Sequence, residues 1–299
     1  MGPRQCLNRF PLPQEHHSFR FAENGTRRPV ALAYPDAEGG SKKKTDMIAL
    51  LASLARLLVL STNSLGAAGA GADYAREERL AQEIVPAIVV GDAIYLETPA
   101  RRRVLALYTA VPRPKGGVIV VHGAGVHPDW GLDGALRTGL ADLGFATLSV
   151  QMPVLAADAP RDGYPALFPE AGNRVGAAIA FLRERGIRSL AIVSHSTGAS
   201  MVDAYLARGD AAHIDAWVIV GMPVDFAMLP KEPVLDVIAG NDFPDVRAAA
   251  RKRRSRLPND GCSRALVLDG TDHLMENRQQ ALVVAVAPFL ERALAGACK

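Results

Sequence analysis

The sequence predicts an α/β protein built around a mostly parallel sheet of about eight strands, with helices on both faces. The first observation behind this prediction is that short apolar runs alternate with helical patterns from residue 118 onward, as in parallel strands joined by helices. The second is that runs such as Val118–Val121 contain no polar residue, which is typical of strands buried on both faces. Before them, apolar runs separated by Gly91-Asp92 and Pro99 predict an antiparallel start to the sheet.

The individual elements follow from their periodicity and from their ends. One predicted helix stops before Gly144, a natural C-cap, and the next carries Val175, Ile179 and Leu182 on one face. Because ligands of such sheets bind at the carboxyl ends of the strands, we expect the functional residues in the loops that follow them. The predicted strands are 84–90, 93–97, 104–111, 118–121, 146–150, 190–193, 217–220, 234–239 and 265–268, and the predicted helices are 132–143, 172–185, 198–207, 246–254 and 280–295.

Residues 1–72 read differently from the rest of the chain. Residues 1–41 show no hydrophobic period and predict a disordered extension. The basic run Lys42–Lys44, the apolar segment Met47–Leu60 and a small-residue run ending at Ala72 follow in the order of a secretory signal. This pattern predicts cleavage before Asp73 and a periplasmic or secreted domain over residues 73–299.

Two features of the signal-like segment leave other locations open. Arg56 interrupts its apolar part, and its basic residues begin some forty residues into the chain. A buried or membrane-anchoring helix in a cytoplasmic protein is therefore the alternative. The apolar part, at about 14 residues, is too short for a stable membrane span.

The formal net charge of +3 belongs to the N-terminal segment. Nine of the 34 Lys and Arg and five of the 31 Asp and Glu fall within residues 1–72, so residues 73–299 are nearly neutral. A run of basic residues within 247–256 is interpreted as the solvated face of a helix. The composition therefore gives no reason to expect nucleic acid as a partner.

The chain contains three cysteines, and cleavage before Asp73 removes Cys6. Cys262 and Cys298 remain, and an even pair in an oxidising compartment predicts a disulfide. The predicted fold brings both to the same end of the sheet. Two unpaired thiols are the alternative.

The strongest candidate for chemistry is Ser196, in the stretch L-A-I-V-S-H-S-T-G-A. A strand, a sharp turn and a helix start follow one another there, with the serine at the apex of a G-x-S-x-G-like elbow. Strand and helix come close at such an elbow, so the flanking positions must be small, as Gly198 is and as Ser194 is in place of the usual glycine. The Thr197 amide, at the start of the helix, is a candidate donor to an oxyanion.

A second oxyanion donor is expected directly after the strand 118–121. The chain continues there with His122-Gly123-Ala124-Gly125, and glycines allow the backbone to turn its amides inward. We assign the second amide to Ala124, with His122 and Gly123 in supporting positions. His122 and His195 flank the predicted site and are interpreted as residues that shape it.

The acid and the base are expected in the order serine, acid, histidine. The strand 234–239 runs into Gly240-Asn241-Asp242, and the last strand leads through Gly270-Thr271-Asp272 to His273. His273 is predicted to take the proton of Ser196, and Asp242 to hold the imidazole, which completes a catalytic triad. Asp225 and Asp245 are the substitutes if Asp242 points away.

These motifs resemble the α/β-hydrolase superfamily from about Glu83 to the C-terminus, through V-I-V-V-H-G-A-G, I-V-S-H-S-T-G-A, V-I-A-G-N-D and L-D-G-T-D-H. With the export signal, they are similar to an exported bacterial branch known as a domain of unknown function. The resemblance implies a serine hydrolase with no metal or organic cofactor. The serine at position 194, where the family has glycine, raises the question of altered activity.

The sequence thus predicts an esterase-type enzyme that acts on ester, thioester or amide bonds through an acyl-enzyme. A catalytically weak or inactive binding protein of the cell envelope is one alternative, because a fold can outlast its chemistry. An acyltransferase, in which an alcohol replaces water, is another. The segment 221–233 is too short for a helical cap, so with 153–168 as the other wall we expect an open site suited to a soluble or polymeric ester.

Overall fold

The computed structural model describes residues 71–298. The predicted disordered extension and nearly all of the predicted signal segment lie outside the described residues, and the division of the chain at residue 72 stays a prediction. Between residues 71 and 298, no helix combines the length and the apolar content needed to cross a membrane.

A single eight-stranded sheet forms the centre of the described chain. Its strands are β1 (Asp92–Glu97), β2 (Arg103–Thr109), β3 (Gly117–Val121), β4 (Ala146–Val150), β5 (Leu190–His195), β6 (Ala216–Val220), β7 (Val234–Ala239) and β8 (Arg264–Leu268). They lie in the order β1-β2-β4-β3-β5-β6-β7-β8. Strand β2 is antiparallel to both β1 and β4, and all other neighbouring pairs are parallel. The predicted sheet, with its antiparallel start, is therefore confirmed.

Helices cover both faces of the sheet because its strands are apolar on both sides. In β3, Ile119 and Val121 face one hydrophobic core, and Val118 and Val120 face the other. The first core includes residues of α3 (Phe168–Glu184) and α4 (Thr197–Leu206), and the second includes residues of α2 (Gly131–Asp142) and α6 (Gln279–Leu294). The helices are α1 (Tyr74–Ile84), α2 (Gly131–Asp142), α3 (Phe168–Glu184), α4 (Thr197–Leu206), α5 (Pro244–Arg254) and α6 (Gln279–Leu294).

The predicted strand at 84–90 is wrong. Ile84 ends helix α1, and residues Val85–Ala87 form a short 3-10 turn. Pro86 lacks an amide donor for a sheet, and Val89 is 93% exposed. Ala81 and Ile84, spaced as on a helix face, pack instead in a small core with residues of β2.

The basic helix α5 contains one residue that is not solvated. Arg253 is completely buried and makes a two-bonded ion pair with Asp236 of β7, at 3.0 and 3.1 Å. Its guanidinium also donates to the carbonyls of Met222 and Val224 in the loop after β6. The solvated-face interpretation is therefore wrong for this arginine, whereas the other basic residues of α5 are exposed.

The predicted disulfide is present. Cys262, just before β8, is bonded to Cys298, just after α6, with 5.4 Å between their Cα atoms. The bond links the segments next to β8 and α6, and its two cysteines are 36 positions apart in the sequence.

Candidate active site

Ser196 lies at a sharp turn between β5 and α4. Its φ of +54° and ψ of −126° are unusual for a residue with a side chain, and such strain is concentrated at functional sites. The turn needs Gly198, because a Cβ there would lie 2.2 Å from the carbonyl oxygen of His122. The local geometry is thus that of the elbow described by the motif.

Three of the predicted residues form one chain of hydrogen bonds. His273 Nε2 lies 2.9 Å from Ser196 Oγ, and His273 Nδ1 lies 2.7 Å from Asp242 Oδ1. An ionised carboxylate accepts, so Nδ1 carries the proton and Nε2 is free to accept from the serine hydroxyl. The Asp242 side chain is fully buried, and that of His273 is 11% exposed.

Neither substitute for Asp242 is needed in this arrangement. Asp225 is paired with Arg256 at 2.8 Å, and Asp245 is exposed in the first turn of α5. Phe243, the residue after Asp242, packs its ring against that of His273, with 4.8 Å between the ring centroids.

Gly221, which the sequence did not single out, packs against the His273–Asp242 pair. Its φ is +62°, and a Cβ there would lie 3.1 Å from the His273 ring and 3.3 Å from Asp242 Oδ2. The position therefore requires glycine for both conformation and space. The available signal was a glycine directly after an apolar strand, but its neighbours come from two other loops.

His195 ties the elbow to the loop that carries His273. It is buried, and its Nε2 donates to the main-chain carbonyl of His273 at 2.9 Å. Burial lowers the pKa of His195 to about 4, so the ring is neutral at neutral pH. Its contact with the backbone of His273, rather than with Ser196, agrees with its interpretation as a shaping residue.

The 122–125 loop passes directly beside the elbow. A Cβ at Gly123 would lie 3.3 Å from the Cβ of Ser196. The His122 ring accepts the amide of Met152 on Nε2 at 2.8 Å, so its Nδ1 is the donor to the carbonyl of Gly123, also at 2.8 Å. Burial lowers the pKa of His122 to about 3, which keeps this ring neutral.

The orientation of one peptide group in this loop follows from the His122 bond. The carbonyl of Gly123 and the amide of Ala124 belong to the same planar peptide. When His122 holds that carbonyl on one side, the Ala124 amide points to the opposite side. Thr197 begins α4, so its amide is one of the free donors at a helix N-terminus.

Ser194 has a structural partner that explains the departure from glycine. Its hydroxyl accepts the indole N–H of Trp217 at 2.8 Å, and Trp217 is almost completely buried. A buried indole N–H without an acceptor is costly. The serine therefore provides the acceptor that the buried indole of the neighbouring strand β6 needs.

The surroundings of the site contain little that resembles a cap. The connection 221–233 contains no helix, as predicted. The other predicted wall includes a 3-10 segment, Arg161–Leu167. Within residues 71–298, no group of three or more His, Cys, Asp or Glu side chains is placed to hold a metal ion.

The sheet order, the elbow and the loops after β7 and β8 together define the α/β-hydrolase fold. A putative α/β hydrolase from Agrobacterium tumefaciens is similar at 17% identity and TM-score 0.51, over 68% of this chain and 97% of its own. A dienelactone hydrolase from Anabaena variabilis is similar at 18% identity and TM-score 0.53, over 68% and 96%. An α/β serine hydrolase without a lid, from Xanthomonas campestris, is similar at 16% identity and TM-score 0.52, over 69% and 95%. At these identities the likeness shows the fold.

A family match covers the first part of the described chain. Residues 70–173 match the family described as a protein of unknown function, DUF3530. The matched segment contains α1 and the 122–125 loop, and it ends before Ser196. The fold that the motifs implied is thus confirmed, and the family match is, as the motifs indicated, to a domain of unknown function. No protein of curated function matches the chain in sequence.

Proposed function

We propose that the protein is a serine hydrolase that cleaves carboxylic ester bonds, or thioester or amide bonds, through an acyl-enzyme intermediate. The observation that carries this proposal is the hydrogen-bonded chain from Ser196 Oγ through His273 to Asp242. Both distances suit proton transfer and tautomer control. Burial keeps His122 and His195 neutral. His273 is the histidine next to the serine that is paired with a buried carboxylate, that of Asp242.

In the proposed reaction, Ser196 Oγ attacks the substrate carbonyl carbon while His273 Nε2 takes the hydroxyl proton. Asp242 stabilises the resulting imidazolium. Collapse of the tetrahedral intermediate breaks the bond to the leaving group, which receives the proton from Nε2. A water molecule then repeats these steps on the acyl-enzyme, releases the acid and restores the serine.

The negative charge on the substrate oxygen is proposed to be held by the amides of Ala124 and Thr197. The His122 bond to Gly123 supports the first assignment, since it orients the peptide that contains the Ala124 amide. The start of α4 at Thr197 supports the second, since helix N-termini favour anions. Preorganised donors of this kind supply the largest stabilisation in many acyl-transfer enzymes.

The proposed substrate is a soluble or polymeric ester. The short connection 221–233 supports an open site. The similar proteins named above include a dienelactone hydrolase and a serine hydrolase without a lid, and a small or extended ester fits such an open arrangement better than an enclosed lipid. Acyl transfer to an alcohol uses the same groups and differs only in the second nucleophile.

We also propose that the protein acts in an oxidising compartment, the periplasm or the exterior. The disulfide between Cys262 and Cys298 supports this, because such bonds persist in exported proteins and are rare in the cytoplasm. The signal-like segment supports it independently.

The test is labelling of the purified protein with a fluorophosphonate probe, beside a Ser196→Ala variant. We expect wild-type protein to be labelled and S196A to remain unlabelled at the same thermal stability. Labelling would justify a screen of p-nitrophenyl esters and thioesters, with an added alcohol to detect acyl transfer. A folded wild type that does not react would overturn the proposal in favour of the binding-protein alternative.

A further inference from the structure

Helix α1 precedes the sheet, yet it contacts the 122–125 loop. The guanidinium of Arg76 donates to the carbonyl of Gly125 through Nη2 and to the carbonyl of Leu155 through Nη1, both at 2.8 Å. One side chain thereby joins the loop after β3 to the loop after β4. The fit is close, because a Cβ at Gly125 would lie 3.4 Å from Nη2.

The position of Arg76 is itself fixed by the start of α1. Asp73 caps the helix by accepting the amide of Arg76 at 2.9 Å. The amide of Asp73 donates to the carbonyl of Val154 at 2.7 Å, and the amide of Val154 donates to Glu77 at 3.3 Å. This pair of opposed bonds holds the first turn of α1 against the loop after β4.

A second set of contacts connects α1, through α3, to the 122–125 loop. Glu77 pairs with the fully buried Arg174 of α3, at 2.8 and 3.1 Å. Arg174 donates to the carbonyl of Gln151 at 2.9 Å, and the side-chain amide of Gln151 lies 3.1 Å from His122 Nε2. Both ends of the 122–125 loop are therefore reached from one helix.

We propose that Arg76 is a positioning residue for catalysis, and that α1 is a brace that holds the 122–125 loop with its Ala124 amide aimed at the reacting oxygen. This inference rests on the proposed function and extends it to a helix outside the sheet. Without the guanidinium, the carbonyl of Gly125 loses its donor and the loop, which contains two glycines, gains freedom to turn. The donor amide is then less well placed for the transition state.

The experiment compares R76M and R76K with R79M, whose arginine is exposed on the same helix. The readouts are kcat and KM on the best p-nitrophenyl ester, the rate of fluorophosphonate labelling, and the inhibition constant of a trifluoromethyl ketone analogue of that ester. Removing one oxyanion donor lowers kcat by about 10²–10³-fold. Loosening a donor costs less, and we expect R76M to lower kcat about tenfold or more with KM nearly unchanged.

The ketone separates positioning from general stability, because it forms an oxyanion only when bound to the serine. We expect its affinity to fall in R76M by the same factor as kcat/KM, to recover partly in R76K, and to remain at the wild-type value in R79M. Thermal unfolding of each variant is measured alongside, and if R76M fails to fold, R76K provides the same comparison.

The outcomes distinguish the two proposals. A folded wild type that neither labels nor hydrolyses esters overturns the proposed function and this assignment with it. A reactive wild type whose folded Arg76 variants keep kcat and the affinity for the ketone overturns this assignment alone. A loss of kcat that tracks only the fall in melting temperature, with unchanged ketone affinity, also overturns it.

Discussion

The two sides of Ser196 are held in different ways. On the side of the proposed acid and base, Asp242 and His273 follow the neighbouring strands β7 and β8. Asp242 contacts His273, and His273 contacts the serine, through their side chains. On the other side, the 122–125 loop offers backbone amides, and its orientation depends on Met152 and Arg76, which lie in other parts of the chain. A site built from side chains can be recognised from its sequence motifs. A site built from backbone amides depends on the residues that hold the backbone in position.

This difference predicts how substitutions on each side affect activity and stability. Replacement of a residue on the acid–base side removes a reacting group or its direct partner, so the chemistry should fail while the fold stays. Replacement of a support on the other side changes an angle rather than a group, so its effect should be smaller and graded.

The largest expected effect is that of Asp242→Asn. The amide holds the wrong tautomer of His273 and cannot stabilise its cation, and the analogous change in a serine protease lowers kcat about 10⁴-fold. We expect a loss of this order in kcat with little change in melting temperature, measured on the ester used above. D225N and D245N are the matched controls, and comparable losses in either would contradict the assignment of Asp242.

A second effect concerns acid stability, since each side of the site contains one buried neutral histidine. Burial lowers the pKa of His122 to about 3 and of His195 to about 4, from an ordinary value of 6.5. Below pH 6.5 these histidines bind protons in the unfolded chain but not in the folded chain, so stability decreases as the pH is lowered. We expect the free energy of unfolding to drop by about 2 kcal/mol for each histidine between pH 6.5 and pH 5.

Asp203 opposes this trend. Burial raises its pKa from 3.8 to about 6, so the folded state binds a proton that the unfolded state releases, and stability rises by about 1 kcal/mol between pH 6 and pH 5. Burial also raises the pKa of Asp133, Glu232 and Asp236, which oppose the loss in the same way. Urea titrations at pH 7 and pH 5 are therefore compared between the wild type and single variants. D203N should steepen the loss and H195Q should reduce it, and an unchanged profile in H195Q would contradict burial of a neutral histidine at position 195.

The smallest expected effect lies beneath the elbow. Ser194→Ala leaves the indole N–H of Trp217 buried without an acceptor, which costs about 1–3 kcal/mol. In a W217F background the same substitution should be nearly neutral, since no donor is left to satisfy. Urea unfolding of the four proteins gives the coupling between the two residues, and a coupling near zero would show that the serine is only a tolerated glycine substitute.

Much of this molecule follows from local patterns. Apolar runs mark the strands, and parallel strands bring the residues that follow them to one edge, so Ser196, Asp242 and His273 could be predicted to meet. The antiparallel start of the sheet followed from the turn residues before β3, whereas the position of β4 between β2 and β3 did not. These conclusions need only the spacing of apolar residues along the chain and the geometry of a parallel sheet.

The supports could not be predicted in this way. Helix α1 is rich in charge and short of apolar residues, and its position depends on ion pairs with Arg174, about a hundred residues away. Arg253 belongs to a run of basic residues, and only the buried Asp236 on β7 distinguishes it from its neighbours. Gly221 needs to be glycine because of side chains from two later loops. Each is set by a partner distant in sequence.

The disulfide places the proposed base in a covalent ring. Residues 262 to 298 contain β8, the His273 loop and α6, and the bond closes them on themselves. A closed loop of this length removes about 4 kcal/mol of chain entropy from the unfolded state. Local unfolding that begins after α6 cannot by itself release this helix from the sheet while the bond is intact. Reduction of the disulfide is therefore expected to lower the stability of the segment that contains His273.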